Sequence, residues 1–142
     1  METFHERVRS SFDKQGLMQT LGAKLSYVTD GEVQIILPFS PHLSQQHGYL
    51  HAGAITSIVD SACGYAALTR APAGYEVVTA EFKINLMRPA IGEGFIAIGK
   101  VQNAGRMLSV CTGEVRKLEK DGTQGKAIAL IQATIVNVKS EI

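Results

Sequence analysis

The chain has 142 residues, 14 of them basic against 13 acidic, and 45% apolar side chains. One domain of this length buries about two-thirds of its unfolded surface, so it needs neither metal nor crosslinks to fold. The near-neutral charge gives no electrostatic case for nucleic acid, and no run approaches the ~20 apolar residues of a membrane span. Cys63 and Cys111 lie in apolar company without metal-ligand spacing, as free cysteines acting as small hydrophobes do. The opening METFHERVRSSFDKQ is charged and lacks the apolar run of a signal peptide, so a soluble, cytoplasmic protein is expected.

In chain order, Phe4, Val8 and Phe12 fall four apart and predict a short amphipathic helix over 3–15. Two strands are expected over 21–29 and 31–38, with Asp30-Gly31 between them as a hairpin turn. Residues 39–51 have no period and read as a loop. Residues 52–69 form the one long helix: Ile55, Val59, Ala62 and Ala66 make an apolar stripe, with Ile58 beside it. Its other sector (Gly53, Thr56, Ser57, Asp60, Ser61 and Gly64) is small and polar. After the Pro72-Ala73-Gly74 loop come four strands near 76–88, 93–103, 106–118 and 126–138. The last is almost continuously apolar, as a strand covered on both faces would be. This is an α+β order, and an 18-residue helix so apolar must be enclosed by a curved antiparallel sheet.

The chemistry concentrates in Gln45-Gln46-His47-Gly48-Tyr49-Leu50-His51-Ala52-Gly53 and in Asp60, nine residues after His51. A carboxylate in a helix built for burial is costly unless it is paired, exposed or kept for a task. Amides at the helix start lack intrahelical partners and can hold a polarised carbonyl oxygen. Asp60 stands about 12 Å further along the same axis, too far to share one carbonyl with that start. Two antiparallel helices across a two-fold axis would bring them together.

His51-x-Gly53 followed by Asp60, opening a long small-residue helix, resembles the hotdog-fold acyl-CoA thioesterases of the phenylacetate-degradation (PaaI-like) branch. The later run Thr79-Ala80-Glu81-Phe82-Lys83-Ile84-Asn85-Leu86-Met87-Arg88-Pro89-Ala90, then Gly92, is similar to that family's central strand and its exit. The resemblance covers nearly the whole chain and implies a single hotdog domain over 1–142, with 1–16 as its N-terminal helix. It also implies a homodimer with a composite site, or a homotetramer built from two such dimers.

By the same resemblance Asp60 is general base or nucleophile, and the Ala52 amide polarises the thioester carbonyl. Gln45 helps orient that carbonyl, Thr79 holds the attacking water, and His51 supports the helix start or takes part directly. Gly53, Arg88, Arg106 and Tyr65 are the expected contacts to substrate and coenzyme A, with Tyr65 also readable as plain core. Ala52 departs from the family, which commonly has glycine there; the amide survives, but a methyl approaches the substrate.

A thioester is already activated, so no metal or redox cofactor is required, and coenzyme A enters only as part of the substrate. His42, His47 and His51 share a loop without a zinc spacing. The Ala52 departure leaves a second reading, a non-catalytic acyl-CoA-binding hotdog protein. A third, a hydratase, lacks the His/Glu or Asp/His pair that proton abstraction beside a thioester requires.

Overall fold

A computed structural model describes residues 2–140; Met1 and the last two residues of the expected 1–142 domain lie outside the described residues. Helix α1 (Phe4–Lys14) starts at a reciprocal cap, in which the Thr3 hydroxyl accepts from the Glu6 amide and the Glu6 carboxylate accepts from the Thr3 amide. Val8 and Phe12 are its buried stripe. A second short helix, α2 (Gly16–Leu21), was not expected. Its Leu17, Met18 and Leu21 have helical spacing, and Gly22 ends it in the left-handed conformation at φ 78°. Strand β1 (Lys24–Thr29) therefore begins three residues later than the sequence reading had it.

Strand β2 (Glu32–Pro38) follows the expected hairpin, with Gly31 at φ 80°. The loop over 39–51 holds a 3₁₀ turn at Pro41–Leu43 and a single bridge between Ser44 and Leu50. Helix α3 (Ala52–Leu68) leads to β3 (Tyr75–Leu86), β4 (Gly94–Ala104), β5 (Leu108–Leu118) and β6 (Gln124–Lys139). The six strands form one antiparallel sheet in the order β1-β2-β4-β5-β6-β3, and α3 packs against β2 to β6. This is the expected hotdog architecture, a sheet wrapped round one central helix.

Two glycines let the helix lie directly on the sheet. A Cβ on Gly99 would stand 2.4 Å from the Ala62 backbone, and one on Gly113 would meet Val59, Ile131 and Cys63. Ile55, Ile58, Val59, Ala62 and Cys63 of α3 meet Val33, Ile35, Leu37 and Ile135 in the core. The predicted two-sided cover of β6 is corrected: Ile131, Ala133 and Ile135 are buried toward α3, but Leu130 on the other face is 44% exposed. Among the described residues nothing crosses that outer face.

The N-terminal helix is clamped to the far end of α3. The Arg7 guanidinium donates to the backbone carbonyls of Ala71, Pro72 and Tyr75 at 2.6–2.8 Å. The clamp seats the end of α1 beside the polar sector of α3, where Asp60 lies.

Candidate active site

Helix α3 is capped by His51, whose Nδ1 accepts from the Gly53 amide at 2.7 Å. Ala54 and Ile55 donate to the His51 carbonyl. Among the described residues, only the first amide of the helix, that of Ala52, has no partner. Gly53, expected to touch substrate, has its amide engaged by His51, and a Cβ there would come within 3.0 Å of the imidazole. His51 therefore positions the helix start.

Gln45 lies over the same place. Its Oε1 accepts from the amides of His47 and Tyr49 at 2.6 and 3.1 Å, which pins the side chain and leaves the Nε2 hydrogens without a partner among the described residues. Gln45 and Ala52 line one cleft of about 380 Å³ with Leu50, Ile55, Leu86 and Arg88. Two unengaged donors thus face one space. Arg88 is exposed there, and one guanidinium nitrogen donates to the Ala127 carbonyl.

Asp60 belongs to a second cleft, of about 220 Å³, with Ser11, Gln15, Ser61, Tyr65, Glu76 and Thr79. The Thr79 hydroxyl donates to Asp60 Oδ1 at 2.8 Å, while Oδ2 has no partner among the described residues. Burial raises the Asp60 pKa above its usual value, and the Thr79 hydrogen bond pulls it part of the way back. Thr56 and Ser57 hydroxyls bond back to the carbonyls of Ala52 and Gly53, so neither competes for the carboxylate.

Thr79 owes its aim to an irregularity in β3. It pairs with Ile135 whereas Glu81 pairs with Thr134, so Ala80 is an extra residue with no partner across the ladder. Thr79 consequently faces α3 with Ile135, and Glu81 faces outward, where the Thr134 hydroxyl donates to its carboxylate.

The structure divides the predicted residues between two clefts. Gln45, Ala52 and Arg88 share one, Asp60, Thr79 and Tyr65 share the other, and Asp60 stands eight residues after Ala52 along the helix. Arg106, in the β4–β5 connection, lines neither. Tyr65 is core on one side, its ring 6.0 Å from that of Phe12, and cleft wall on the other. Sequence reasoning missed Ser11, Gln15 and Glu76, which carry no local signal and reach the site only through the Arg7 clamp and the start of β3.

A larger cavity, of about 650 Å³, opens on the outer face of the sheet among Lys83, Lys100 and Gln132. It holds no candidate residue, and the free amide and half-buried carboxylate outweigh its size in locating the site. Among the described residues no three His, Cys, Asp or Glu side chains are grouped to hold a metal ion, and no helix is long and apolar enough to cross a membrane. Both cysteines are free and buried.

Comparison with known proteins shows the family. Residues 47–123, which contain both clefts' helix and β3, match the family model "Thioesterase superfamily". A thioesterase family protein from Silicibacter pomeroyi superposes with a TM-score of 0.91 at 39% identity, covering 96% of this chain and 99% of that one. The PaaI protein of the phenylacetic acid degradation operon of E. coli shares the fold, with a TM-score of 0.83 at 17% identity over 96% and 94% of the two chains. A chain from Saccharolobus solfataricus, provisionally named an esterase, is 33% identical over 79% of both chains. The chain belongs to the thioesterase superfamily.

Proposed function

We propose that this protein is a cytoplasmic acyl-CoA thioesterase whose catalytic site is composite, with Asp60 from one copy meeting Gln45 and the Ala52 amide of another. One observation carries the reading: an unengaged carboxylate oxygen and an unengaged helix-start amide lie on the same helix about 12 Å apart, each in its own cleft. A two-fold axis between antiparallel α3 helices would overlay the two clefts. Leu86 and Met87 support it, since they line the Ala52 cleft, are 52% and 43% exposed and offer apolar surface for a second copy to cover. Two such dimers joined would make the tetramer.

In this mechanism the thioester carbonyl receives hydrogen bonds from the Ala52 amide and the Gln45 Nε2. Asp60 either draws a proton from water, which then attacks the carbonyl carbon, or attacks that carbon itself to give an anhydride that water opens. The C–S bond breaks and coenzyme A leaves as the thiol. Thr79 holds Asp60 Oδ1, so that Oδ2 faces the substrate. Arg88, and Arg106 if a neighbouring copy brings it near, would meet the phosphates of coenzyme A.

The test is a thiol-release screen over short, medium, long and aromatic CoA thioesters with wild type, Asp60→Asn and Ala52→Pro. Each variant alone is expected to be nearly inactive. Unfolded together and refolded as a 1:1 mixture, they should recover about a quarter of wild-type activity. Half the dimers would then be mixed, each with one intact site. Wild-type rates in Asp60→Asn, or no recovery on mixing, would refute the composite site.

A further inference from the structure

We propose that the Asp60 cleft receives the acyl group, and that Gln15 closes its far end so that the substrates are short acyl groups bearing an uncharged, oxygen-containing tip. This deepens the thioesterase reading and rests on it.

The two clefts differ in charge. The Ala52 cleft carries Arg88 and no carboxylate; the Asp60 cleft carries Glu76 beside Asp60 and no cation. The phosphates of coenzyme A are favoured on the first and repelled from the second. The acyl portion is what remains for the Asp60 side.

That side has a wall at one end. Gln15 occupies the joint between α1 and α2, in extended conformation at φ −79° and ψ 103°, and its amide donates to the Phe12 carbonyl. From there its side chain bridges to α3: Nε2 donates to the Tyr65 hydroxyl at 2.8 Å, and the Ser61 hydroxyl donates to Oε1 at 3.2 Å. Ser11 adds a longer contact to the Tyr65 hydroxyl at 3.3 Å. The stop is therefore crosslinked at both ends. On one copy the cleft in front of it measures only about 220 Å³.

The chemistry of the walls selects further. Ser11, Gln15, Ser61, Glu76 and Thr79 are polar, and an alkyl end pressed on them would strip their water without replacing it. The Tyr65 hydroxyl accepts from Gln15 Nε2 at 2.8 Å, and its own proton has no closer acceptor among the described residues than the Ser11 hydroxyl at 3.3 Å. A hydroxyl or carbonyl oxygen on the acyl group would supply one. The Glu76 carboxylate disfavours a tip that is itself an anion.

The experiment compares kcat/KM for an isosteric pair, 3-hydroxybutyryl-CoA and 3-methylbutyryl-CoA, with decanoyl-CoA and glutaryl-CoA as long and anionic probes. Wild type is expected to prefer the hydroxyl over the methyl by about tenfold and to use the other two poorly. Tyr65→Phe should bring the hydroxyl-to-methyl ratio to near one. Gln15→Ala should raise the decanoyl-to-hydroxybutyryl ratio about tenfold or more. Ratios taken on one preparation do not depend on how much of it is folded, and Tyr65→Phe keeps the buried ring if Gln15→Ala fails to fold. Hydrolysis that favours the methyl or decanoyl ester, or ratios that neither variant moves, would overturn this inference and leave the thioesterase standing. No hydrolysis of any thioester would overturn both.

Discussion

Ala52→Pro isolates the helix-start amide more cleanly than any side-chain deletion. Of the first four amides of α3, those of Gly53, Ala54 and Ile55 are engaged by His51, and that of Ala52 alone is free. Proline at the first helical position removes only that donor, breaks no intrahelical bond, and has a φ already suited to the helix. His51 sits at φ −64° and ψ 140°, the extended backbone that a following proline demands, and Ala52 is exposed, so the ring meets open space. Folding stability should therefore stay within about 1 kcal/mol of wild type, as read from urea denaturation.

Catalysis should not be spared. Losing one preorganised donor to a developing oxyanion costs about 2.7–4 kcal/mol, or 10²–10³ in kcat. Ala52→Val, with similar bulk and the amide retained, is the control and should lose far less. The assay is steady-state thiol release at saturating substrate. A proline variant that is stably folded and within about threefold of wild-type kcat would show that this amide does not serve the reaction.

The carboxylate makes its own predictions. Because burial raises the Asp60 pKa, the acid limb of kcat/KM should lie above that of an ordinary aspartate, near 4, and Thr79→Val should move it higher by removing the bond that favours the ionised form. A folded pKa above the unfolded one means that this group's stabilising contribution is complete below the unfolded pKa and is lost as pH rises through the folded value. Asp60→Asn should thus melt higher than wild type at neutral pH, with the gap closing in acid; an unchanged gap from pH 3 to 7 would contradict the burial argument. Gly99→Ala should cost about 1–3 kcal/mol or more in urea titrations, since its methyl would strike the α3 backbone. Neither cysteine should react with a disulfide reagent in native protein at pH 8: burial holds the Cys63 thiol far above its usual range and pushes Cys111 up to about 11. Both should titrate on denaturation.

Much of the fold is legible because its signals are local. Asp30-Gly31 declares its hairpin, and the spacing of Ile55, Val59, Ala62 and Ala66 declares the long helix. The α2 helix escaped because six residues give too short a period to tell Leu17-Met18 from the start of a strand. Leu130 misled because apolar runs report burial without saying what does the burying. At the site, Asp60 was conspicuous as a charge in a greasy helix, and the family resemblance supplied Gln45, Ala52 and Thr79. Gln15 and Glu76 were invisible because their neighbours lie 46 or more residues away or in another element; only the folded chain brings them to Asp60.

The unpaired Ala80 has a consequence that reaches beyond its own position. Strict two-residue alternation would turn Thr79 and Glu81 to the same side of β3; the single surplus residue sends them to opposite sides. Deleting Ala80 would restore an even ladder and force a choice. Either everything before it inverts, taking Thr79 away from the carboxylate, or everything after it does, swinging Lys83 and Asn85 toward the helix. A methyl-bearing residue that lines neither cleft thus decides which way the strand presents its side chains, and an alignment gap at this position in any relative would signal a rebuilt wall of the Asp60 cleft.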